Sequence, residues 1–248
     1  MEYCVKIDLI TDLPKLEQVE INGVRHYTAN DGSIEIPYPS VTTVLSSDKS
    51  KEDGIKKWRE RVGEEEANRV SHTATQRGTA VHQIMEDYIL DQEPITKPMP
   101  IHLDTASRLK EKAERYMGDV KLVEGQLFSH HLRTAGTVDL VAEWEGEMAI
   151  VDWKTSKYAK KREYVESYFM QEAAYAVMFE ERTGIPVTKL VTVIAYDKPY
   201  EGCQMFVEKR DNWIGKFIEL REMYDTQLQS MLQNEGSGSD SPDSRGVL

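Results

Sequence analysis

The sequence contains only two cysteines, Cys4 and Cys203, among its 248 residues. Two cysteines are too few for a disulfide framework, a four-cysteine zinc site or a four-cysteine iron–sulfur cluster. The chain also lacks an apolar run long enough to span a membrane, and its first residues lack the basic and apolar regions of a signal peptide. These absences predict a soluble protein of the reducing cytoplasm.

Basic residues are in the minority, with 31 Lys and Arg against 43 Asp and Glu and a net charge of −12. This balance argues against a protein that coats nucleic acid through bulk electrostatic attraction. Any contact with nucleic acid must therefore be local. Hydrophobic residues make up 40% of the chain, which is enough for one large domain with a substantial core.

The clearest strand pattern lies between residues 136 and 154, on either side of Glu145-Gly146. A tight two-residue loop at this dipeptide predicts a hairpin in which Trp144 pairs with Glu147. A three-residue loop would shift the register by one and move every side chain to the other face. The pairing partners of all other hairpin residues follow from this loop length.

The predicted register brings two carboxylates together, because it places Asp139 opposite Asp152 and Thr137 opposite Lys154. Directly opposed side chains have Cβ atoms roughly 4.5–5.5 Å apart, and like charges there are destabilising. A hard divalent cation bound by both carboxylates would offset the repulsion, and Lys154 shares their face because strand side chains alternate. The pattern predicts a metal site for phosphodiester chemistry, and the alternative is a solvated hairpin face.

Both faces of the hairpin are apolar. Val141 and Ile150 share the face of the carboxylates, and the opposite face carries Val138, Leu140, Ala142, Ala149 and Val151. A strand that is apolar on both faces is a buried strand, and buried carboxylates are rarely left unpaired. The pattern therefore favours the metal site.

Periodicity and turn signals predict a mixed α+β (α/β) class with a central mixed sheet flanked by helices. The predicted strands are 16–21, 24–28, 120–130, 132–144, 147–155, 189–196 and 203–209. The predicted helical regions are 51–90 with breaks or tight contacts at Gly63 and Gly78, 104–117 with an Asp104 cap, 162–182, and 213–232 with Ile214, Phe217, Ile218, Leu220 and Met223 inward.

The chain is predicted to form a single domain over residues 1–234, followed by a disordered tail at 235–248. The predicted parts of the domain are an N-terminal hairpin segment (1–36), a helical lobe (37–118), a core that carries the carboxylates (119–210) and a C-terminal helix (211–234).

Two polar pairs are spaced to share one face of a helix. His82 and Glu86 are four residues apart, and so are Gln171 and Tyr175. A histidine and a glutamate at this spacing are more often a surface pair or a satisfied core pair. The second pair reads equally well as a core tyrosine with an exposed glutamine. Both pairs gain interest because the carboxylate hairpin lies between them in the sequence.

Basic residues crowd just beyond the hairpin, with Tyr158 and Tyr164 interleaved: Lys157, Lys160, Lys161 and Arg162. Such a run is usually a solvated face. Basic and aromatic residues beside a phosphodiester site also suit a groove that binds a nucleic-acid strand.

The motifs occur in a fixed order, namely Arg77-Gly-Thr-x-x-His82-x-x-x-Glu86, Glu124, Gly136-Thr-x-Asp139, Asp152-x-Lys154 and Gln171-x-x-x-Tyr175. This ordered set resembles the RecB-like branch of the PD-(D/E)xK nuclease superfamily. With the segment 39–45 and the following helix that contains Trp58, it most resembles the mitochondrial genome maintenance exonuclease group and its phage relatives. The resemblance covers roughly residues 39–209, and each motif alone is weakly specific.

The resemblance implies a PD-(D/E)xK core and a role for each matching residue. It implies metal ligands at His82, Asp139, Asp152 and the Trp153 carbonyl, and a catalytic Lys154 that orients the attacking water and stabilises charge on the phosphate. Gln171 and Tyr175 would support Lys154 and the scissile phosphate. Glu86 and Glu124 would orient the metal ligands without binding the metal themselves. The predicted DNA contacts are Arg77, Lys157, Lys160, Lys161 and Arg162.

The implied cofactor is Mg²⁺ or Mn²⁺, without an iron–sulfur cluster because the cluster cysteines are absent. The implied activity is that of a metal-dependent DNA exonuclease that favours single-stranded ends and serves replication or recombination. An endonuclease or flap-processing enzyme with the same site is the near alternative. A noncatalytic nucleic-acid-binding module is the distant one, although no ligand and no lysine of the motif set is lost.

Overall fold

The computed structural model describes residues 6–236, apart from the side chains of residues 49–52 and 231–236. Its elements in chain order are β1 (Leu16–Ile21), β2 (Val24–Ala29), β3 (Tyr38–Pro39), α1 (Val41–Ser46), α2 (Lys49–Val62), α3 (Glu64–Ile89), α4 (Pro100–Tyr116), β4 (Met117–Ser129), β5 (Thr134–Trp144), β6 (Glu147–Tyr158), α5 (Glu166–Thr183), β7 (Lys189–Lys198), β8 (Gly202–Lys209) and α6 (Ile214–Gly236).

A five-stranded sheet in the order β4-β5-β6-β7-β8 forms the centre of the molecule. Neighbouring strands are antiparallel except β6 and β7, which are parallel. A parallel pair needs a crossover connection, and α5 supplies it. A second sheet of three strands, β1-β2-β3, lies before the helices in the sequence. The predicted α+β class with a mixed sheet is confirmed.

The central sheet is covered on both faces. One face packs against α5, α1 and α6 and buries Val141 and Ile150 completely. The other face packs against α3 and α4 and buries Leu140 and Val151 completely. The prediction that the hairpin is apolar on both faces because it is buried is therefore confirmed.

The hairpin loop has the predicted length. Glu145 and Gly146 have φ angles of 54° and 79°, as the tight loop requires, and Trp144 pairs with Glu147. The β5–β6 ladder continues in this register as far as Leu140 and Val151. The predicted register is confirmed over these five pairs.

Beyond Leu140 the ladder stops, and the predicted backbone pairs Asp139–Asp152 and Thr137–Lys154 are wrong. The Asp139 carboxylate accepts a hydrogen bond of 2.9 Å from the backbone N–H of Trp153. A side chain thus takes the N–H that a regular ladder would assign to a backbone carbonyl. On its other side β5 stays paired with β4, where Thr137 is the partner of Gln126. Asp139 and Asp152 still lie next to each other in the sheet, each directly beyond the last residue pair of the β5–β6 ladder.

Several helix predictions need correction. Gly63, with a φ of 87°, separates α2 from α3 as predicted, but α3 runs through Gly78 without a break, and an added Cβ there would meet nothing within 4 Å. The helix predicted from Asp104 begins at Pro100, because proline needs no N–H partner in the first turn. Asp104 instead pairs with Arg108 one turn later, at 3.2 Å.

Differences at other ends are smaller. The helix predicted from residue 162 opens with a 3-10 turn at Arg162–Tyr164, and α5 itself starts at Glu166. In α6, Met223 is exposed rather than inward, and Arg221 is buried instead. Most of the predicted tail, 237–248, lies outside the described residues. Over the described part of the chain, no helix combines the length and apolar character that crossing a membrane requires.

Candidate active site

Five elements meet at the point where the β5–β6 ladder ends. Helix α3 contributes His82, β4 contributes Glu124, and β5 contributes Asp139. Strand β6 contributes Asp152 and Lys154, and α5 covers them with Gln171 and Tyr175. The structure thus brings together side chains that lie up to 93 positions apart in the sequence.

The first half of the site consists of His82, Glu124 and Asp139, each of which has a possible ligand atom within 4.8 Å of the others. His82 Nδ1 lies 3.7 Å from Glu124 Oε1 and 3.6 Å from Asp139 Oδ1. His82 Nε2 lies 2.7 Å from the carbonyl oxygen of Trp153. A carbonyl can only accept, so Nε2 carries the hydrogen and Nδ1 faces the carboxylates.

The charge of His82 depends on these neighbours. Burial alone would lower its pKa, but the Asp139 and Glu124 carboxylates outweigh burial and raise the pKa to about 9. In the absence of a cation, the protonated imidazolium therefore offsets the repulsion between the two carboxylates near neutral pH. The raised pKa of His82 reflects Asp139 and Glu124, whereas the cation predicted from the sequence is one bound by Asp139 and Asp152.

Glu124 occupies a break in the regular strand pattern. Its φ is 44°, a left-handed conformation that is uncommon for glutamate and that is often found at functional sites. The alternation of faces slips here: Leu122 and Leu127 share one core cluster although an odd number of positions separates them. An added Cβ at the following residue, Gly125, would lie 2.2 Å from Leu122 Cγ. Gly125 is the sequence signal for this irregularity, which leaves the β4–β5 register unchanged from the Val123–Leu140 pair to the Gly125–Val138 pair.

The second half of the site is the buried pair of Asp152 and Lys154. Lys154 Nζ lies 2.5 Å from Asp152 Oδ2, and Gln171 Nε2 donates a hydrogen bond of 3.1 Å to Asp152 Oδ1. Burial raises the pKa of Asp152 to about 6 despite the lysine. Burial alone would lower the pKa of Lys154, but Asp152 and Asp139 outweigh it and raise that pKa. Lys154 therefore remains charged at neutral pH.

Tyr175 lies under α5, 4% exposed, with its hydroxyl against the backbone of Gly136. A Cβ at Gly136 would lie 2.7 Å from Tyr175 Oη, so a glycine is needed there. Burial first, and then the Asp139 and Asp152 carboxylates, raise the pKa of Tyr175 well above its usual value. Gly136 and Tyr175, from separate motifs, thus meet beside both carboxylates.

Two residues of α5 escaped the sequence analysis. The Lys154 ammonium lies 5.2 Å from the centre of the Tyr168 ring, within the range of a cation–π contact. Glu172 is fully buried next to Gln171. Tyr168, Gln171, Glu172 and Tyr175 follow the spacing of one helix face, and this spacing could have identified them.

Two cavities flank the site. One of about 340 Å³ is lined by Gly78, Thr79, His82, Gln83, Glu86 and Glu124. Glu86 thus shares a cavity with His82 and Glu124 of the first half of the site. Burial, and then the charge of Glu124, raise the pKa of Glu86. A groove of about 660 Å³ runs between α1, α2 and α5, and its lining includes Lys56, Arg59, Tyr168 and Gln171.

The predicted DNA-binding arginines have partners inside the protein. Arg77 makes two hydrogen bonds, of 2.6 and 2.8 Å, to the carboxylate of Asp197 and a third to Thr105. Arg162 donates hydrogen bonds of 2.8 and 2.6 Å to Glu208. Both guanidinium groups would have to exchange or share these partners in order to contact a phosphate.

The predicted DNA-binding lysines are less constrained. Lys157 and Lys161 are exposed, and Lys161 lies 3.9 Å from Glu163, at the limit of an ion pair. Lys160 exchanges two hydrogen bonds with the Gln204 side chain through its backbone, which leaves its ammonium out of that contact. Lys157 and Lys161 are thus open to solvent, whereas Lys160 is half-buried, and the side chain of Arg162 is itself 54% exposed.

The donor set fits a divalent cation. Carboxylate and imidazole groups are the ligands that Mg²⁺ and Mn²⁺ accept, and two carboxylates beside a histidine form an electronegative cluster that a cation would neutralise. Asp152 lies next to this cluster and raises the pKa of His82 through its charge. A mixed sheet that presents such a cluster beside an Asp-x-Lys strand is an arrangement suited to metal-assisted hydrolysis of a phosphodiester.

The sequence profile of the PD-(D/E)XK nuclease superfamily matches residues 102–237, more than half of the chain. The chain belongs to this superfamily, whose members use divalent metal ions, and the resemblance predicted from the ordered motifs is confirmed. The matched range contains Glu124, Asp139, Asp152, Lys154 and Gln171. His82 precedes the matched range, and it is the structure that places it beside those residues.

Curated relatives carry the name mitochondrial genome maintenance exonuclease 1. The chain is 25% identical to the Mus musculus protein over 57% of this chain and 45% of that protein. It is 26% identical to the Homo sapiens protein over 64% and 49%, and 27% identical to the Xenopus tropicalis protein over 69% and 51%. The chain thus spans about half the length of these relatives.

A solved protein from Eubacterium rectale, provisionally named an exonuclease, aligns with 69% of this chain and 75% of its own. The TM-score is 0.44 and the sequence identity 12%, which is too low to carry an argument. The family membership rests on the sequence profile, and the chain is similar to relatives that are named as a mitochondrial exonuclease.

Proposed function

We propose that the protein is a DNA exonuclease that depends on Mg²⁺ or Mn²⁺, favours single-stranded ends and serves replication or recombination. The proposal is carried by one observation: the acidic cluster with His82 lies directly beside the Asp152–Lys154 pair. Superfamily membership and the exonuclease names of the relatives support it.

In this proposal His82, Asp139 and Asp152 bind the cation, together with Glu124, which lies as near to His82 as Asp139 does. The bound cation would polarise the phosphate and lower the pKa of a nearby water. The Trp153 carbonyl accepts a hydrogen bond from His82, so its assigned role as a ligand would require His82 to turn. Glu86 supports the cluster from the adjacent cavity.

Lys154 carries the positive charge on the protein side of the reaction. Because Asp152 and Asp139 keep it protonated, it can hold the attacking water through a hydrogen bond and stabilise negative charge on the phosphate. Gln171 fixes one oxygen of Asp152, so that the other faces Lys154. Tyr175 borders both carboxylates and closes the site against the core.

A nucleic-acid strand would approach through the groove of about 660 Å³, whose lining includes Arg59, Tyr168 and Gln171. Here the helical lobe (37–118) and the core (119–210) of a single domain would face each other across the strand. Lys157, Lys160 and Lys161 would contact phosphates, and Arg77 and Arg162 would contribute through shared carboxylates. Aromatic stacking on Tyr168 would tolerate any base.

The decisive experiment compares end-labelled linear single strands with covalently closed circles of the same sequence, with Mg²⁺, Mn²⁺, Ca²⁺ or EDTA. We expect cleavage of linear strands with Mg²⁺ or Mn²⁺, no cleavage with EDTA, and binding without turnover with Ca²⁺. Cleavage of circles as fast as linear strands would contradict the exonuclease and favour an endonuclease. Binding without cleavage under every condition would favour a noncatalytic module.

A further inference from the structure

Glu172 is a buried acid that the proposed chemistry does not use. It lies on α5 directly after Gln171 and is 0% exposed. Its Oε1 is hydrogen-bonded to the hydroxyl of Thr192, while Oε2 has no hydrogen-bond partner among the described residues. Burying a polar atom without a hydrogen-bond partner costs free energy, so such a residue calls for a structural or functional explanation.

The partner of Glu172 is the neighbour of a proposed metal ligand. Thr192 of β7 and Asp152 of β6 are register partners in the parallel pair, which places them on adjacent strands roughly 4.8 Å apart. Ile150 and Ile194, each two residues away on these strands, belong to the core cluster under α5. Because strand side chains alternate, Asp152 and Thr192 also face α5.

Two consecutive residues of α5 therefore reach two adjacent strands. Gln171 donates to Asp152 on β6, and Glu172 bonds to Thr192 on β7. Buried apolar residues of α5, such as Phe169 and Ala173, pack the helix against the sheet. The two polar contacts then specify which polar side chain of α5 meets which strand.

We propose that Glu172 is a positioning residue, whose hydrogen bond to Thr192 holds α5 in the rotation that keeps Gln171 on Asp152. This inference rests on the proposed function only in its consequence for catalysis, because the helix contact itself exists without substrate or cation. Glu172 does not touch the reacting atoms in this assignment, and Gln171 transmits its effect.

The surroundings support a role through hydrogen bonding rather than charge. Burial, and then the charge of Asp152, raise the pKa of Glu172 well above its usual value, which shifts the side chain toward the neutral acid. A neutral carboxyl can donate and accept, and it adds no negative charge beside Asp152. Glutamine has nearly the same shape and keeps an oxygen that can accept the hydrogen bond from Thr192. The role requires no change in protonation.

The test uses Glu172→Gln, which keeps the contact, and Thr192→Val and Glu172→Leu, which remove it. Thr134→Val is the matched control, because Thr134 is equally buried and its hydroxyl bonds to the Leu132 carbonyl in the β4–β5 connection. The first readout is kcat and KM on an end-labelled linear single strand with Mg²⁺. The second is amide hydrogen exchange across α5, which requires no turnover.

We expect Glu172→Gln to stay within about threefold of the wild-type kcat, and Thr192→Val to lose roughly tenfold in kcat with an unchanged KM. Hydrogen exchange in α5 should rise in Thr192→Val but not in Thr134→Val. Glu172→Leu should behave like Thr192→Val, and if it does not fold, the other two variants still decide.

Two results would overturn the inference. If Glu172→Gln loses as much activity as Thr192→Val does, the acid acts through more than its hydrogen-bonding shape. If α5 exchanges at the wild-type rate in Thr192→Val, the contact does not position the helix. An inactive wild-type protein would instead refute the proposed nuclease activity, and the exchange experiment would still decide the role of Glu172.

Discussion

The two halves of the site differ in how their charges are balanced. The His82, Glu124 and Asp139 half keeps 27% of the histidine side chain and 30% of the glutamate side chain exposed, and its balance depends on a proton on His82. In the Asp152 and Lys154 half, the aspartate side chain is 4% exposed and has the lysine and Gln171 as partners. The first half is open to a cation, and the protein itself completes the second.

This contrast has a physical origin. Glu124, 30% exposed, is solvated by water in the absence of a cation, whereas a buried carboxylate needs partners from the protein. Asp152 has Lys154 and Gln171 as partners. Asp139, which is also buried, has the N–H of Trp153. We therefore expect changes in the second half to affect turnover most, and changes in the first half to affect cation affinity most.

The largest expected effect is the loss of cleavage in Asp152→Ala and in Lys154→Ala. Each should reduce the rate at least about a thousandfold, because Asp152→Ala removes a proposed cation ligand and Lys154→Ala removes the positive charge at the reacting phosphate. The fold and much of the DNA binding should remain. Single-turnover assays measure the cleavage rate, and circular dichroism measures whether the fold is retained. Lys209→Met, at an exposed position on β8, is the control for loss of a positive charge. Undiminished cleavage in either alanine variant would refute the site.

The next effect is on cation affinity in the first half. His82→Ala and Glu124→Gln should each weaken Mg²⁺ binding about 10- to 100-fold, measured by calorimetry without substrate. Glu86→Gln should have a clearly smaller effect, because Glu86 lines the cavity without joining the cluster. An equal loss of Mg²⁺ affinity in Glu86→Gln and Glu124→Gln would show that Glu86 belongs to the cation-binding cluster.

A smaller effect should arise where Tyr175 passes Gly136, beside both halves. Gly136→Ala should lower the free energy of unfolding by about 1–3 kcal/mol, because the new Cβ would lie 2.7 Å from Tyr175 Oη. Tyr175→Phe removes that hydroxyl, so the double variant should regain much of the loss in a denaturant titration. Simple additivity of the two single variants would argue against this contact.

The smallest effect is the pH dependence of the cation-free protein. The pKa of His82 is raised from 6.5 to about 9, so its stabilising contribution is complete below about pH 6.5 and is lost as the pH rises through about 9. In EDTA, the wild type should lose more stability across this window than His82→Gln, by urea titration. The raised pKa of Asp152 acts between 3.8 and about 6, below the window. Parallel pH profiles for both proteins would show that His82 is not protonated in this way.

The sequence predicted the hairpin because its information is local. A two-residue loop and the alternation of strand side chains define the register from Trp144 to Leu140, and the structure confirms it. Alternation could not predict where the ladder ends, because that depends on the Asp139 side chain bonding to Trp153. Alternation also could not predict where the Glu124 side chain lies, since its left-handed backbone conformation interrupts the period of two.

The arginines illustrate the same limit. Arg77 precedes His82 by five residues and resembles a free basic residue in the sequence, yet its guanidinium is bound to Asp197, which follows it by 120 positions. Its partner lies on β7, and only the packing of α3 against that strand brings the two together. A sequence shows where its basic residues lie, but it does not show which carboxylates will form ion pairs with them.

By itself the sequence determined the central hairpin, the mixed class of the sheet and the ordered set of polar residues, because turns, alternation and helical spacing act over a few residues. The tertiary structure decided which of those residues meet. It placed His82 and Glu124 beside Asp139 in a partly exposed cluster. It also placed Glu172 on Thr192, the neighbour of Asp152 on the adjacent strand. These contacts depend on packing between distant elements, where burial and neighbouring charge determine what each side chain can do.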